Sequence, residues 1–511
     1  MRKFQCRKAL ELLYVIGKAQ DSGLYSDCQA GVLGLCDFIE YILGETAETT
    51  LNLLEGYCEL LYKVHKGEVS KNALRKYFIK LEKHFKHGLK PTKLEVVFIS
   101  HKVSMADSLE SVYFAAKKDP SCDVYWIPVP YYELDANAKS TIMCYEGDQY
   151  SSDYQITDWQ EYDIKVRRPD IVFYNNPYDK YNRVSIIHPD FHAESIKDYA
   201  EYLVYIPYYV WTTDDWNDPT IFPGTLYADM VVAESEKKQQ TYVRHLKEWV
   251  KKSGVTATHP SWKYVAKPEE KFVPLESPKY DKVINTSRDS YILPTKWQNM
   301  VDGIDNTRKK VIVYSTRFTE LADPIEQRLN KIKQVFDFFK RKCDVLLWYR
   351  PHPLNMQCLT AMEPNYLAQY KQMIDEFKRE AWGIYDDTGN FHRAVAMCDA
   401  YYGEWSSTIA IYAAAGKPVM LGNPSLDVSS NNDEYLLGDA DDIRCLYTYC
   451  FNEVSSTDLN SYVTLITDTT REGDLSARGK KVISLLDICA EGTAGQAIYE
   501  RSKAAFFAIP L

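Results

Sequence analysis

The sequence lacks the features that mark several common classes of protein. It has no run of about 18 uncharged apolar residues, so no transmembrane helix is predicted. It contains no G-x-x-x-x-G-K-S/T element, and no G-x-G-x-x-G element follows the first strand of a predicted sheet. A P-loop ATPase and a dehydrogenase-type dinucleotide fold are therefore poorly supported. The net charge of −10 argues against a nucleic-acid partner that coats the surface.

The sequence also lacks a cysteine pattern for metal binding. Its 12 cysteines include no C-x-x-C pair, and no Cys or His near Cys445 and Cys450 completes a zinc spacing. Reduced thiols in a cytoplasmic protein are the simplest interpretation, and no signal peptide is predicted because no small-residue cleavage site follows the basic N-terminus. The D-x-D match at 439–441 is too short to predict a metal site. We expect no metal and no cofactor.

A chain of 511 residues is too long for one ordinary core. Its first part reads as helices only, and from about residue 93 strands alternate with helices, the β-α-β signature of a parallel sheet. The pattern restarts near residue 309, so the prediction is an α/β fold of two consecutive Rossmann-like, doubly wound parallel-sheet domains with an N-terminal helical region. The predicted parts are 1–92 (helical), 93–300 (the first Rossmann-like domain), 301–490 (the second Rossmann-like domain) and 491–511 (a helix that packs back on the first domain).

Apolar runs bounded by turn residues give the strand candidates. In the first unit they are 94–100, 122–129, 170–174, 203–208 and 229–234. In the second unit they are 309–316, 345–348, 383–387, 399–404 and 417–423. The Pro-rich segment 272–300 between the units has weak periodicity and is predicted to be a connector.

The segment 74–90 has apolar residues at helical spacing and a basic opposite face that carries Arg75, Lys76, Lys80 and Lys83. One interpretation is peripheral contact with the anionic inner face of the cell membrane. The other is a solvated face on a helix packed against the rest of the protein. The sequence leaves both interpretations open.

Ligands of open α/β sheets bind outside the carboxyl ends of the strands, so the cleft between the two units is the predicted site. Three strand-end loops of the second unit point there. They carry Thr316 and Arg317, then Arg350 and His352, and then Glu404, Ser406, Ser407 and Thr408. The serines and threonine are predicted to cap the next helix, whose N-terminus favours an anion. The arginines and the histidine add donors, so a diphosphate is the predicted ligand.

The motifs "STRF" (315–318), "RPHP" (350–353) and "EWSST" (404–408) occur in this order, and the last leads into "IYAAAGKPVML". "LESPKYDKV" (275–283) and "EGTAGQAIYE" (491–500) accompany them. This part of the chain resembles the CDP-glycerol glycerophosphotransferases, the teichoic-acid primases and polymerases, which have the GT-B fold. The resemblance covers about 270 to 500 well and 93 to 270 loosely. Glu404 stands where that family usually has Asp.

The resemblance implies a CDP-activated alcohol phosphate bound by the second unit. His352, Ser406 and Ser407 would hold the diphosphate, with Thr316 and Arg317 beside it, and Glu404 would contact the nucleotide. A hydroxyl acceptor, free or lipid-linked, would attack the phosphorus and expel CMP.

The chain departs from the family at the expected base. The family usually carries a Trp-His-Gly element in its first domain, but 203–216 contains no histidine. His101 follows the first strand and is the favoured replacement, because a histidine suits proton removal near neutral pH. His188 is less well placed, and Asp214 or Asp215 could serve as a carboxylate base.

The leading hypothesis is thus a metal-independent transferase in surface-polymer synthesis. A UDP-sugar glycosyltransferase or a UDP-GlcNAc 2-epimerase-like enzyme is a second interpretation. The third is a GT-B scaffold that has lost its base and acts by binding.

Overall fold

The computed structural model describes residues 1–134, 139–182, 185–210, 222–303, 307–318, 324–404, 406–421, 456–468, 483, 488 and 491–509. A helical N-terminal region precedes two parallel sheets that are both covered by helices. The predicted fold class is confirmed. No helix in the described ranges is long and apolar enough to cross a membrane.

The strands in chain order are β1 (Leu94–Ser100), β2 (Cys122–Pro128), β3 (Tyr131–Leu134), β4 (Ser140–Cys144), β5 (Ile171–Tyr174), β6 (Ser185–Ile187), β7 (Tyr202–Tyr205), β8 (Met230–Ala233), β9 (Phe272–Pro274), β10 (Lys310–Ser315), β11 (Val345–Tyr349), β12 (Ile384–Tyr385), β13 (Ala400–Gly403) and β14 (Val419–Leu421). The helices are α1 (Lys3–Asp21), α2 (Tyr25–Leu43), α3 (Glu48–His65), α4 (Lys71–His87), α5 (Glu110–Lys117), α6 (Ile164–Arg167), α7 (Ala193–Lys197), α8 (Pro223–Tyr227), α9 (Glu236–Ser253), α10 (Trp262–Val265), α11 (Pro268–Lys271), α12 (Pro278–Ile284), α13 (Thr295–Asp302), α14 (Ile325–Phe339), α15 (Asn355–Met362), α16 (Pro364–Glu380), α17 (Phe391–Met397), α18 (Thr408–Ala414), α19 (Ser456–Thr467) and α20 (Ala494–Ala508).

Helices α1 to α4 pack around a core of their own. In α4 the apolar stripe faces this core, where Leu74, Leu81 and Phe85 are buried. The basic side chains on the opposite face are exposed to solvent. The region is joined to the first sheet through Arg2, whose guanidinium donates to the buried Asp170 over 2.8 Å.

The first sheet has the order β2-β1-β5-β7-β8-β9 and is parallel throughout. Strand β1 is buried at every position, as expected for a strand covered on both faces. The order reverses between β1 and β5. Such a switch point opens a crevice at the carboxyl ends of its two strands, where ligands of this fold bind.

The second sheet has the order β12-β11-β10-β13-β14 and is also parallel. Its central strands β10 and β11 are almost wholly buried. The reversal lies between β10 and β13, so the loops after these two strands border the second crevice. The strand candidates of both units coincide with observed strands to within about three residues at each end.

Two parts of the fold were not predicted, a small sheet and the regular structure of the segment between the units. A small antiparallel sheet, β4-β3-β6, lies beside the first unit. The segment predicted as a connector also contains regular structure, because β9 joins the first sheet as an edge strand and α12 and α13 follow it. Strand β9 ends at Pro274, which an edge strand tolerates since one of its sides needs no ladder hydrogen bonds.

The C-terminal helix α20 packs on the first unit beside α5. Its first backbone N–H groups, those of Ala494 and Gly495, donate to the carboxylate of Asp281 over 3.0 and 2.7 Å. Gly495 approaches Ser111 so closely that a Cβ would lie 2.3 Å from its hydroxyl oxygen. A glycine is therefore required for this packing.

Asp107 connects the two units. It lies in a short 3-10 helix after β1, and its carboxylate accepts hydrogen bonds from Lys279 of α12 over 2.6 Å and from His392 of α17 over 2.7 Å. All three side chains are buried. Burial alone would raise the pKa of Asp107, but Lys279 and His392 outweigh it and hold the pKa below its usual value.

Asp107→Asn should lower the free energy of unfolding by about 3–5 kcal/mol, because the Lys279 ammonium would remain buried without a counter-charge. Urea unfolding followed by tryptophan fluorescence measures the change. Glu59→Gln is the control, since Glu59 pairs with Lys63 on an exposed helix face. An unchanged midpoint for Asp107→Asn would contradict the prediction.

The contribution of Asp107 to the free energy of unfolding should also depend on pH, because its pKa is lower in the folded protein than in the unfolded chain. The contribution should be complete above the usual aspartate pKa and be lost as the pH falls below it.

Candidate active site

A cavity of about 240 Å³ lies between the carboxyl ends of the two sheets; we call it the donor cavity. Both units contribute to it, as the switch-point rule requires. Polar and basic side chains from both units line the donor cavity, among them His101, Lys102, Asn176, Lys279, Arg350, His352, Ser407 and Thr408. None of the described residues that line it is acidic.

His352 is fixed by two backbone hydrogen bonds in its Pro-bounded loop. Its N–H donates to the Thr316 carbonyl over 2.9 Å, and its Nδ1 accepts the N–H of Leu354 over 3.2 Å. Burial, and then the charges of Arg317 and Lys102, lower the pKa of His352 to about 4. The ring is therefore neutral at pH 7. Since Nδ1 accepts, the proton is on Nε2, which can donate to a ligand oxygen without a charge.

Arg350 borders the same cavity, and its positive charge is only partly balanced because Asp386 also pairs with Arg393. Its guanidinium forms an ion pair with the fully buried Asp386 over 2.8 Å and donates to the Thr388 carbonyl over 2.6 Å. It also lies over the Phe391 ring, 5.7 Å from the centroid. The fixed guanidinium therefore shapes the wall of the cavity as well as carrying charge.

Thr316 and Glu404 do not line the donor cavity and instead support its loops. The Thr316 hydroxyl is buried and lies 2.9 Å from the Tyr349 hydroxyl. The Glu404 carboxylate accepts the backbone N–H of Arg317 over 2.9 Å, which joins the loops after β10 and β13. Burial raises the pKa of Glu404, although cationic neighbours, first Arg328, oppose the rise.

The loop before α18 reaches the cavity without the predicted cap. Ser407 is at the N-cap but has helical dihedral angles and donates or accepts no capping hydrogen bond. Ser406 and Thr408 hydrogen-bond each other through their hydroxyl groups. The prediction of a side-chain cap is wrong because the N-cap backbone is already helical, and a capping side chain needs an extended N-cap. Ser407 and Thr408 border the cavity instead.

His101 faces the cavity from the first unit. Its ring is buried, packs edge-on against Tyr131 at 5.4 Å, and lies 3.4 Å from the amide nitrogen of Asn176. Burial, and then Lys102, lower the pKa of His101 to about 3. The ring is therefore neutral and a weak base. Asp214 and Asp215, the carboxylate alternatives, lie outside the described residues. His188 is not among the residues that line the cavity.

Sequence reasoning missed Lys102, although it directly follows His101. Its ammonium lies over the Tyr131 ring, 4.7 Å from the centroid, and among the described residues it forms no ion pair. Burial lowers the pKa of Lys102, and Glu146 and Glu133 oppose the change. The signal that could have identified Lys102 is its position just after the carboxyl end of β1, next to His101.

Sequence reasoning also missed Lys279, which lines the donor cavity from α12. The sequence shows the motif that contains Lys279 but not its place in the site, because only the folded chain brings Lys279 next to Asp107. Within the described parts of the chain, no group of three His, Cys, Asp or Glu residues is arranged to hold a metal ion. The D-x-D element at 439–441 lies outside those parts.

No family model matches the chain, and no curated protein matches it. Solved structures that are similar include a protein from Listeria monocytogenes assigned as a UDP-N-acetylglucosamine 2-epimerase, at 13% identity over 81% of this chain and 97% of that one, with a TM-score of 0.49. The wall teichoic acid polymerase TagF soaked with CDPG gives 11% identity over 90% of this chain and 98% of that one, with a TM-score of 0.48. The S. aureus MnaA–UDP structure gives 12% over 81% and 98%, also with a TM-score of 0.48. At these values the similarities carry no argument about activity, which depends on the residues of the cleft.

Proposed function

We propose that this protein is a transferase that moves an alcohol phosphate, glycerol phosphate or a relative, from a CDP-activated donor to a hydroxyl acceptor in surface-polymer synthesis. The charge of the donor cavity carries the proposal. Cations and neutral histidines line it, and none of its described lining residues is a carboxylate. Such a lining suits a diphosphate. The choice of a CDP-alcohol comes from the motif resemblance.

The proposed diphosphate lies between His352, Ser407 and Thr408 of the second unit and Lys102 of the first. The acceptor oxygen forms a bond to the phosphorus that carries the alcohol, and the bond from this phosphorus to the CMP oxygen breaks. Positioning and stabilisation of the charge on the leaving CMP provide the catalysis. Arg317 and Arg350 add positive charge next to the leaving group, and Thr316, Ser406 and Glu404 hold the loops in place, with Glu404 also proposed to contact the nucleotide.

The acceptor proton passes to His101 in this proposal. A bound diphosphate would favour the imidazolium form and raise the pKa of His101 from its low value. Asp214 or Asp215 is the alternative base. The low pKa of His101 also favours the second candidate, a scaffold that binds the donor without turnover.

A donor panel tests the proposal. The protein should bind CDP-glycerol or CDP-ribitol more tightly than UDP-sugars in calorimetry, and it should release CMP when a hydroxyl acceptor is present. Binding of UDP-sugars alone would rule out the CDP-alcohol assignment. Tight binding of a CDP-alcohol without CMP release, over a range of polyol acceptors, would favour the scaffold.

His352→Ala should reduce the rate of CMP release by about 10²–10³, because the Nε2–H donor to the developing charge is lost. His259→Ala is a matched control, since His259 also accepts a backbone N–H through Nδ1, from Ser261 over 3.1 Å, but lies outside the donor cavity. Each variant loses one hydrogen bond from a backbone N–H to a histidine Nδ1. A fall in rate that is seen only for His352→Ala is therefore not explained by the loss of this bond. Equal rates for the two variants would contradict the role of His352.

We also propose that the basic face of α4 contacts anionic lipid. The apolar stripe of this helix is used inside the helical region, so the contact is electrostatic only. Each Lys near an anionic surface contributes about 1 kcal/mol to binding, so replacing Lys76, Lys80 and Lys83 by Gln should weaken vesicle binding at least tenfold.

Sedimentation measures the binding of each variant to phosphatidylserine vesicles and to phosphatidylcholine vesicles. Exposed Lys251, Lys252 and Lys371 replaced by Gln are the control, and equal losses for both triples would contradict a specific surface.

A further inference from the structure

A second cavity, of about 480 Å³, opens directly beside the donor cavity; we call it the side cavity. The two share the wall formed by Lys102, Ser104, Pro353, Leu354 and Phe391. A ligand in the side cavity can therefore reach a group held in the donor cavity. Lys102 lies at the junction and faces both.

The lining of the side cavity has a different charge. Four carboxylates border it, those of Asp107, Glu110, Glu146 and Asp387. Lys279 and His392 balance Asp107, and Lys282 balances Glu110. The carboxylates of Glu146 and Asp387 remain, and their two negative charges exceed the single positive charge of Lys102. A second polyanion is thus disfavoured in the side cavity, whereas the donor cavity attracts one.

Two glutamine side chains offer hydrogen bonds to a ligand. Gln149 borders the side cavity, and its amide forms no hydrogen bond with another described residue. Gln357 donates from Nε2 to Glu133 over 3.2 Å, but its Oε1 is buried without a partner. The rings of Tyr131 and Phe391 provide apolar faces next to these amides. Carboxylates, amides and rings together match a hydroxyl-rich ligand, which donates and accepts hydrogen bonds and has C–H faces.

Two contacts at the side cavity cross from one unit to the other. They are the bond from Gln357 to Glu133 and the bond from His392 to Asp107, and Gln357, His392 and Asp107 all line the cavity. Gly389 of the second unit also rests on Val103, where a Cβ would meet the Val103 side chain at 3.6 Å. The cavity therefore exists only while the two units are in contact.

We propose that the side cavity binds the acceptor, and that the acceptor group bound there is neutral and polyhydroxylated, a polyol or a sugar. One hydroxyl of this group points past Ser104 toward Lys102, which contacts the phosphoryl group during transfer. The transfer step depends on the proposed function, but the binding of a polyol does not. In that step the hydroxyl oxygen bonds to phosphorus, CMP leaves with the electrons of the broken P–O bond, and the hydroxyl proton goes to His101.

Saturation-transfer NMR on the full-length protein tests the binding. The probes are ribitol, methyl glucoside and glycerol 3-phosphate, with CDP added to occupy the donor cavity. Ribitol or methyl glucoside should bind, and Gln149→Leu and Gln357→Met should each weaken it, about tenfold in the double variant. Gln372→Leu is the control, because the Gln372 amide donates to Glu376 on an exposed helix face and, among the described residues, to no other group. CDP affinity, measured in the same samples, should not change.

The outcomes separate this inference from the proposed function. If neither neutral probe binds, or if the double variant binds them like wild type, the side cavity is not the acceptor site. Tighter binding of glycerol 3-phosphate than of ribitol would overturn the neutral class. If wild type binds no CDP or CDP-alcohol, the proposed function fails. The comparison of ribitol binding by wild type and the double variant still shows whether the side cavity binds a polyol.

Discussion

The cleft depends on one buried carboxylate. Asp107 follows β1 in a short 3-10 helix, and its carboxylate accepts hydrogen bonds from Lys279 of α12 and His392 of the second unit. A buried carboxylate is stable only when cations and donors surround it, so the three segments are held together. The contact lies between the donor and side cavities. Both cavities therefore depend on it for their shape.

The two cavities differ in charge although they share a wall. Neutral histidines and cations line the donor cavity without a described carboxylate, while the side cavity has more acidic than basic side chains. A transfer between an anionic donor and a hydroxyl acceptor needs this contrast, because the anion must enter one cavity and not the other. Lys102 touches both and has no ion pair of its own within the described parts. Its position suits the phosphoryl group that is transferred in the proposed reaction.

Much of the fold could be predicted from sequence, because strands buried on both faces are continuous apolar runs. The run before Arg350 is one example, and β11 is buried throughout. The small antiparallel sheet could not be predicted, since its short strands carry no clear period. The loops of the site were also predicted, but the direction of each side chain was not. Thr316 and Glu404 form hydrogen bonds within and between the loops and do not line the donor cavity, while His352 and Ser407 border it.

The sequence by itself determined that two parallel sheets form and that polar residues follow their strands. Apolar runs and the turn residues that bound them are properties of short stretches of sequence. Only the tertiary structure decided which of those residues meet. Asp107 and Lys279 are 172 positions apart, and His392 is 285 positions from Asp107. No local pattern can express such a contact, since it depends on how two separately folded units face each other. The same contact decides that the protein has two adjoining cavities.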